Sequence, residues 1–169
     1  GGTFTNSTFR NNTASVSVMF STYCGSVIIG PDVNIDGCTF ERNAATTLTN
    51  RGGTSNITRS TVSETLGDCL VISNSSGTGD ESSTLNVSES TFSGNSYGVV
   101  LNHCGTGNAR SYANIVNSSF SDNSSDNRSD PCVIGNTAST GSCQSHMQLS
   151  NVTVSGGSDT AVCNKSGLM

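Results

Sequence analysis

The stretch Leu85-Asn86-Val87-Ser88-Glu89-Ser90-Thr91-Phe92-Ser93-Gly94-Asn95 decides the fold, because the chain repeats its pattern. Ala113-Asn114-Ile115 through Phe120 to Asn123 carries the same order of residue types, as does Val33-Asn34-Ile35 through Phe40 to Asn43. With Phe92 as position zero, the copies centre on Phe9, Phe40, Val62, Phe92, Phe120 and Val154, spaced by 31, 22, 30, 28 and 34 residues. Five residues before each centre stand Phe4, Ile35, Ile57, Val87, Ile115 and Leu149, all apolar. One before stand Thr8, Thr39, Thr61, Thr91, Ser119 and Thr153, all hydroxylic, and three after stand Asn12, Asn43, Thr65, Asn95, Asn123 and Gly157. Fixed residue types at several offsets, with variable spacing between copies, mark a repeat architecture.

Within each copy, positions −7 and −5 alternate with polar neighbours, the period of a strand with one buried face. A second apolar run follows at Val16 to Phe20, Cys69 to Ile72, Val99 to Leu101, Cys132 to Ile134 and Ala161 to Cys163. One such unit cannot bury its apolar side, whereas stacked units place like over like and share a continuous narrow core. The expectation is an all-β chain forming a single right-handed parallel β-helix, a solenoid of about six coils. It spans residues 1–169 as one domain and reads equally as a segment of a longer solenoid. Its core ladder is Phe9, Phe40, Val62, Phe92, Phe120 and Val154, accompanied by Asn12, Asn43, Asn95 and Asn123. In that Asn row, side-chain amides can bond from coil to coil; the plainer alternative is that Asn tolerates a left-handed turn there.

Composition agrees with this reading. Ser, Thr and Asn supply 31, 21 and 19 of the 169 residues, whereas only 32% are hydrophobic. That excludes a helical bundle, and a β-helix needs only a few inward side chains per coil. A net charge of −5 with 7 Lys+Arg and no basic cluster argues against nucleic-acid partners. No apolar run approaches the roughly 20 residues of a membrane span. The chain opens on Gly1-Gly2-Thr3-Phe4 without a leader pattern, so any signal peptide has been removed or lies upstream.

Seven cysteines without a CxxC pattern suit disulfides in an oxidising compartment better than metal. Cys104 and Cys143 fall in equivalent corner loops of neighbouring repeats, and Cys132 with Cys163 on equivalent strands, so these are the preferred pairs. Cys24, Cys38 and Cys69 remain, with at least one thiol over. N-x-S/T acceptors begin at ten asparagines. Asn6, Asn11, Asn56, Asn74, Asn86, Asn117, Asn127, Asn151 and Asn164 are the candidate glycosylation sites, with Asn56 and Asn86 favoured because their strand positions face outward. Asn123, in the inward Asn row, is expected to stay unmodified. The localisation expected is extracellular or cell surface.

The strings Phe9-Arg10-Asn11-Asn12, Phe40-Glu41-Arg42-Asn43, Phe92-Ser93-Gly94-Asn95 and Phe120-Ser121-Asp122-Asn123 are FxxN, and Gly1-Gly2-Thr3-Phe4 and Gly52-Gly53-Thr54-Ser55 are degenerate GGA-hydrophobic motifs. Together they resemble the repeats of chlamydial polymorphic outer-membrane proteins and, more broadly, pectin-lyase-like β-helices of surface proteins. The resemblance implies surface display or adhesion. Such folds also include polysaccharide lyases and hydrolases, but those need paired carboxylates or clustered Asp with a basic residue. The twelve acids here are scattered. His103 and His146, placed beside Cys in corner loops, have no acidic neighbour in sequence.

The loop from Ser121 to Asp130, with Asp122, Asp126 and Asp130, offers oxygen ligands of the kind calcium accepts without the order of an EF-hand. It reads as a solvated corner insertion, so no cofactor, metal or catalytic residue is expected. The hydroxyl row also raises ice binding, which lacks a partner row at position −3. The functional expectation is a non-enzymatic structural glycoprotein whose β-helix self-associates head to tail into a filament or surface stalk. The alternatives are a carbohydrate-active enzyme and an adhesin segment.

Overall fold

A computed structural model describes residues 2–12, 15–18, 21–24, 26–44, 46–66, 70–125, 132–139, 142–157 and 159–165. Every regular element among them is a β-strand. In chain order these are β1 (Gly2–Thr5), β2 (Thr8–Arg10), β3 (Ser15–Val18), β4 (Ser21–Cys24), β5 (Ser26–Ile29), β6 (Val33–Asp36), β7 (Thr39–Glu41), β8 (Thr46–Arg51) and β9 (Gly53–Thr58). They continue as β10 (Thr61–Ser63), β11 (Ile72–Ser76), β12 (Ser82–Ser88), β13 (Thr91–Ser93), β14 (Val100–Cys104), β15 (Arg110–Ser121), β16 (Cys132–Ala138), β17 (Gln144–Ser155) and β18 (Thr160–Lys165).

The chain is a parallel β-solenoid with three faces. The first face runs β1-β6-β9-β12-β15-β17, and the second runs β2-β7-β10-β13 onto the later halves of β15 and β17. The third runs β5-β8-β11-β14-β16-β18. All of these pairings are parallel, and the described exceptions are the β3–β4 hairpin and one antiparallel bridge between Tyr97 and Ser125.

Register places the repeat positions in columns. On the second face Phe9, Phe40, Val62, Phe92, Phe120 and Val154 pair in succession. Their rings stack where adjacent: Phe9 on Phe40 at 4.7 Å and Phe92 on Phe120 at 4.8 Å, the spacing of hydrogen-bonded strands. On the first face Phe4, Ile35, Ile57, Val87, Ile115 and Leu149 align. On the third, Ile28, Leu48, Ile72, Val100, Ile134 and Val162 do so. Three apolar columns thus meet in one core, most of whose members are buried.

Two left-handed corners bound each second-face strand. At position −3, Asn6, Gly37, Arg59, Glu89, Asn117 and Asn151 all have φ between 48 and 62°. At position +2, Asn11, Arg42, Glu64, Gly94, Asp122 and Gly156 have φ between 52 and 67°. This conformation suits Gly, Asn and Asp and costs a larger side chain about 1–2 kcal/mol. Three of the four large residues placed there are tied to neighbouring coils. Arg42 Nε reaches Glu64 at 2.7 Å and Arg59 Nε reaches Asp36 at 3.0 Å. Hydrogen bonding to Glu64, with the charges of Glu64 and Glu41, raises the Arg42 pKa; bonding to Asp36 raises that of Arg59.

A serine column turns the first of these corners. Ser60, Ser90 and Ser118 each donate to the carbonyl two residues back and accept a backbone N–H from the preceding coil. Cys38 occupies the same column, its thiol donating to the Asp36 carbonyl at 3.5 Å and its N–H to Ser60 Oγ at 3.1 Å. The buried free cysteine therefore fills a serine position. Cys38→Ser is expected to change stability by no more than about 1 kcal/mol, whereas Cys38→Val, which cannot donate, should cost about 1–3 kcal/mol. Chemical denaturation of the two variants checks this, and equal losses would sink it.

Two sequence expectations need correction here. In the first coil the third-face strand is β5, not the run that begins at Val16: residues 15–18 and 21–24 pair as the antiparallel strands β3 and β4, inserted where a corner tolerates extra length. His103 and His146 lie on β14 and β17, not in corner loops.

Candidate functional site

Three features distinguish this solenoid from a bare scaffold: its amide ladders, its outward acceptor residues and its C-terminal end. The +3 ladder runs along the corner after the second face. Asn12 donates through its N–H and Nδ2 to Asn43 Oδ1 at 3.0 and 2.8 Å, and Asn95 does the same to Asn123 Oδ1 at 3.1 and 2.8 Å. Asn43 and Asn123 also donate inward, to the Phe9 and Phe92 carbonyls. Thr65 interrupts the side-chain series, although its N–H still reaches Asn95 Oδ1 at 3.0 Å. Gly157 ends it: φ is 80° and a Cβ there would run into the Asn123 carbonyl oxygen.

A second, longer ladder escaped the repeat analysis. Asn50, Asn74, Asn102, Asn136 and Asn164 pass one Nδ2–H···Oδ1 bond from coil to coil at 2.7, 2.6, 2.8 and 2.8 Å. The first three are fully buried. Each of the first four also donates across the corner to a first-face carbonyl: Thr84, Tyr112, His146 and Ser145. The signal was present as a triplet, apolar-x-Asn, at Leu48–Asn50, Ile72–Asn74, Val100–Asn102, Ile134–Asn136 and Val162–Asn164. Offsets from position zero vary from 10 to 16 residues, so alignment on the phenylalanines scattered it.

This ladder corrects one glycosylation expectation. The Asn74 side chain is inside the solenoid, with Nδ2 bonded to Asn102 Oδ1 and the Tyr112 carbonyl. A sugar on that nitrogen cannot coexist with the fold, however surface-like the Asn-Ser-Ser triplet reads. Asn56 and Asn86 do face outward, but they are half-buried rungs of a third ladder, Asn34-Asn56-Asn86-Asn114, with bonds of 2.7–2.9 Å. Their preference over other acceptors is withdrawn, because a glycan would have to displace a rung. Asn6, Asn11, Asn117 and Asn151 occupy the exposed left-handed corners instead, Asn151 Nδ2 donating to Asn117 Oδ1 at 2.9 Å. Asn123 is buried, and Asn164 receives the last bond of the inner ladder at its exposed end. Asn127 lies outside the described residues.

Disulfides join Cys104 to Cys143 and Cys132 to Cys163, with Cα separations of 6.0 and 5.8 Å. Both clamp a coil to the next one at the C-terminal end of the stack. The Cys24 side chain and all of Cys69 lie outside the described residues. At that same end the core is open: Leu149 and Val162 are 36% and 42% exposed, and Met147, Val152 and Val154 are only partly buried. A recess of about 300 Å³ there is lined by Leu149, Met147, Val162, Asn136 and Asn164 among others.

The carboxylates are dispersed and several are engaged. Asp32 accepts from the Thr54 N–H, Asp36 pairs with Arg59, Glu81 accepts from the Gly77 N–H, and Glu41 and Glu64 pair with Arg10 and Arg42. Among the described residues no group of three His, Cys, Asp or Glu side chains could hold a metal ion. Asp126 and Asp130 lie outside those residues. No family model matches the chain, and no curated protein and no solved structure matches it either.

Proposed function

We propose that this chain is a non-enzymatic, extracellular structural glycoprotein whose solenoid stacks head to tail into a filament or surface stalk. The observation that carries this reading is the register: each coil presents the same columns to the next, so a coil of a second copy would add through the contacts that already join the coils. Unpaired strand edges template further pairing, and a contact between unlike ends propagates rather than closes. The opposite end offers matching columns. Continuing the register sets Phe4 of a second copy over Leu149, Phe9 over Val154, and Asn6 over Asn151.

Disulfides fit an oxidising location, and glycans at Asn6, Asn11, Asn117 and Asn151 would decorate the corners and leave the stacking ends clear. A glycan on Asn164 would block that end. The FxxN repeats further support kinship with the surface-displayed β-helices of the polymorphic outer-membrane and pectin-lyase-like kind.

Negative-stain microscopy of the purified protein over a range of concentrations tests the assembly. Regular fibres are expected, abolished by Leu149→Asp, which puts a charge into the open apolar column. Monodisperse particles from the wild-type chain at every concentration would overturn the proposal.

A further inference from the structure

The inner asparagine ladder contains two N-x-S acceptors, Asn74-Ser75-Ser76 and Asn164-Lys165-Ser166, and the fold treats them oppositely. A glycan is attached through Nδ2. At Asn74 that atom is sealed inside the solenoid, donating to Asn102 Oδ1 and the Tyr112 carbonyl. Asn164 is exposed, and its Oδ1 accepts from Asn136 Nδ2 at 2.8 Å. That bond holds the Asn164 amide in the pose of a rung, whereas its own Nδ2 has no acceptor among the described residues. In each earlier rung Nδ2 is directed at the following coil, so the Asn164 nitrogen is presented to whatever is laid on β18.

A covered rung uses this nitrogen fully. Asn50, Asn74 and Asn102 each donate once to the next rung and once to a first-face carbonyl two coils further on. Continuing the register brings Gly30 of a second copy over Asn164, because Ile29 pairs with Thr49 and Gly30 therefore stands beside Asn50. Gly30 adds no side chain there, and the gap left for anything bonded to Nδ2 is one strand spacing, about 4.8 Å. A bare amide fits that gap. A sugar with its substituents does not.

Resting on the head-to-tail reading above, we infer that N-glycosylation of Asn164 is a chain stopper that sets the length of the stack. In the modification the Nδ2–C1 bond forms while the C1–O bond of a lipid-diphosphate-linked oligosaccharide breaks; the diphosphate leaves with the electron pair, and one Nδ2 proton passes to base. A copy so modified still joins a growing stack through β1, β2 and β5, which lie at the opposite end. No further copy can follow it, because growth is open-ended only while each added unit presents a free face to the next. The mean number of copies in a fibre then equals the reciprocal of the modified fraction. Glycans at Asn6, Asn11, Asn117 and Asn151 lack this effect, since they sit at corners and not in the path of the next coil.

The test mixes modified and unmodified chains and reads fibre length by negative-stain microscopy. Wild-type chain refolded oxidatively from a bacterial host is unmodified and supplies the growing species. Wild-type chain secreted by a glycosylating eukaryotic host supplies the stopper, with occupancy of Asn164 read by glycopeptide mass spectrometry. Fibres of the unmodified chain should shorten in proportion to the reciprocal of the added modified fraction. Ser166→Ala from the eukaryotic host, which keeps the Asn164 amide and every other acceptor, should form long fibres and should not shorten others. Ser119→Ala, which removes the Asn117 acceptor alone, should leave the stopper in force. The inference is overturned if Asn164 of the secreted chain carries no sugar, if the modified chain leaves fibre length unchanged, or if Ser119→Ala relieves the block as Ser166→Ala does. Absence of fibres from the unmodified chain at every concentration is a different result: it removes the head-to-tail reading itself, and this inference with it.

Discussion

Phe92→Ala should destabilise the chain by about 3–5 kcal/mol, read as a fall in the denaturation midpoint with little change in slope. Phe92 is fully buried, stacked on Phe120 and registered against Val62. In a globular core neighbouring side chains can relax into part of such a cavity. Here Phe92 sits on a three-residue strand whose backbone is bonded to coils above and below and pinned by left-handed residues at Glu89 and Gly94. Collapse along the axis is blocked by the fixed strand spacing. The same substitution at Phe9, which is partly exposed in the first coil, should cost clearly less. Equal costs at the two sites, measured on the monomer, would mean that Phe9 is covered as fully as Phe92.

The inner asparagine ladder should be as intolerant as the aromatic one. Asn102 is fully buried, accepts from Asn74 Nδ2 and donates to Asn136 Oδ1 and the His146 carbonyl. Asn102→Asp keeps the shape and exchanges a donor for an acceptor. The introduced carboxyl then faces two acceptor oxygens in a buried corner, and roughly 3–5 kcal/mol should be lost near pH 7, the scale of an uncompensated buried charge. The pH dependence has a definite sign. Burial raises the folded-state pKa of that carboxyl above its unfolded value of about 3.9. The folded form is therefore penalised least below that value, and stability falls as pH rises through the folded pKa. The variant should recover part of its loss near pH 4, with wild type measured in parallel. A loss independent of pH would place Asn102 in contact with water.

The contrast between the two ladders explains what was legible in the sequence. First- and second-face columns could be read because the segment joining them is five residues long in every coil, bounded by corners that need a left-handed residue. Phe4 with Phe9 and Ile115 with Phe120 therefore keep one offset. Between the second and third faces the chain varies in length. The first coil inserts a hairpin there, and β8 carries Leu48 as its one large apolar residue, so neither strand stood out. The buried ladder was hidden by chemistry as well. An asparagine followed by serines reads as a glycan acceptor or a turn, and only register reveals that Asn74 lies under Asn102.

The buried free thiol of Cys38 became intelligible once that residue fell into a column otherwise filled by Ser60, Ser90 and Ser118.

Stacked rungs can be measured directly by spin-label distances, using labels on genetically encoded side chains so that the cysteines are left alone. With one label at Thr153 and the second moved among Thr8, Thr39 and Thr61, all outward members of one column, backbone separations of about 24, 19 and 14 Å are expected, one step of about 4.8 Å per coil. Separations that fail to shrink by a common step, or a Thr61 label as far from Thr153 as one at Thr8, would show that these segments do not lie over one another.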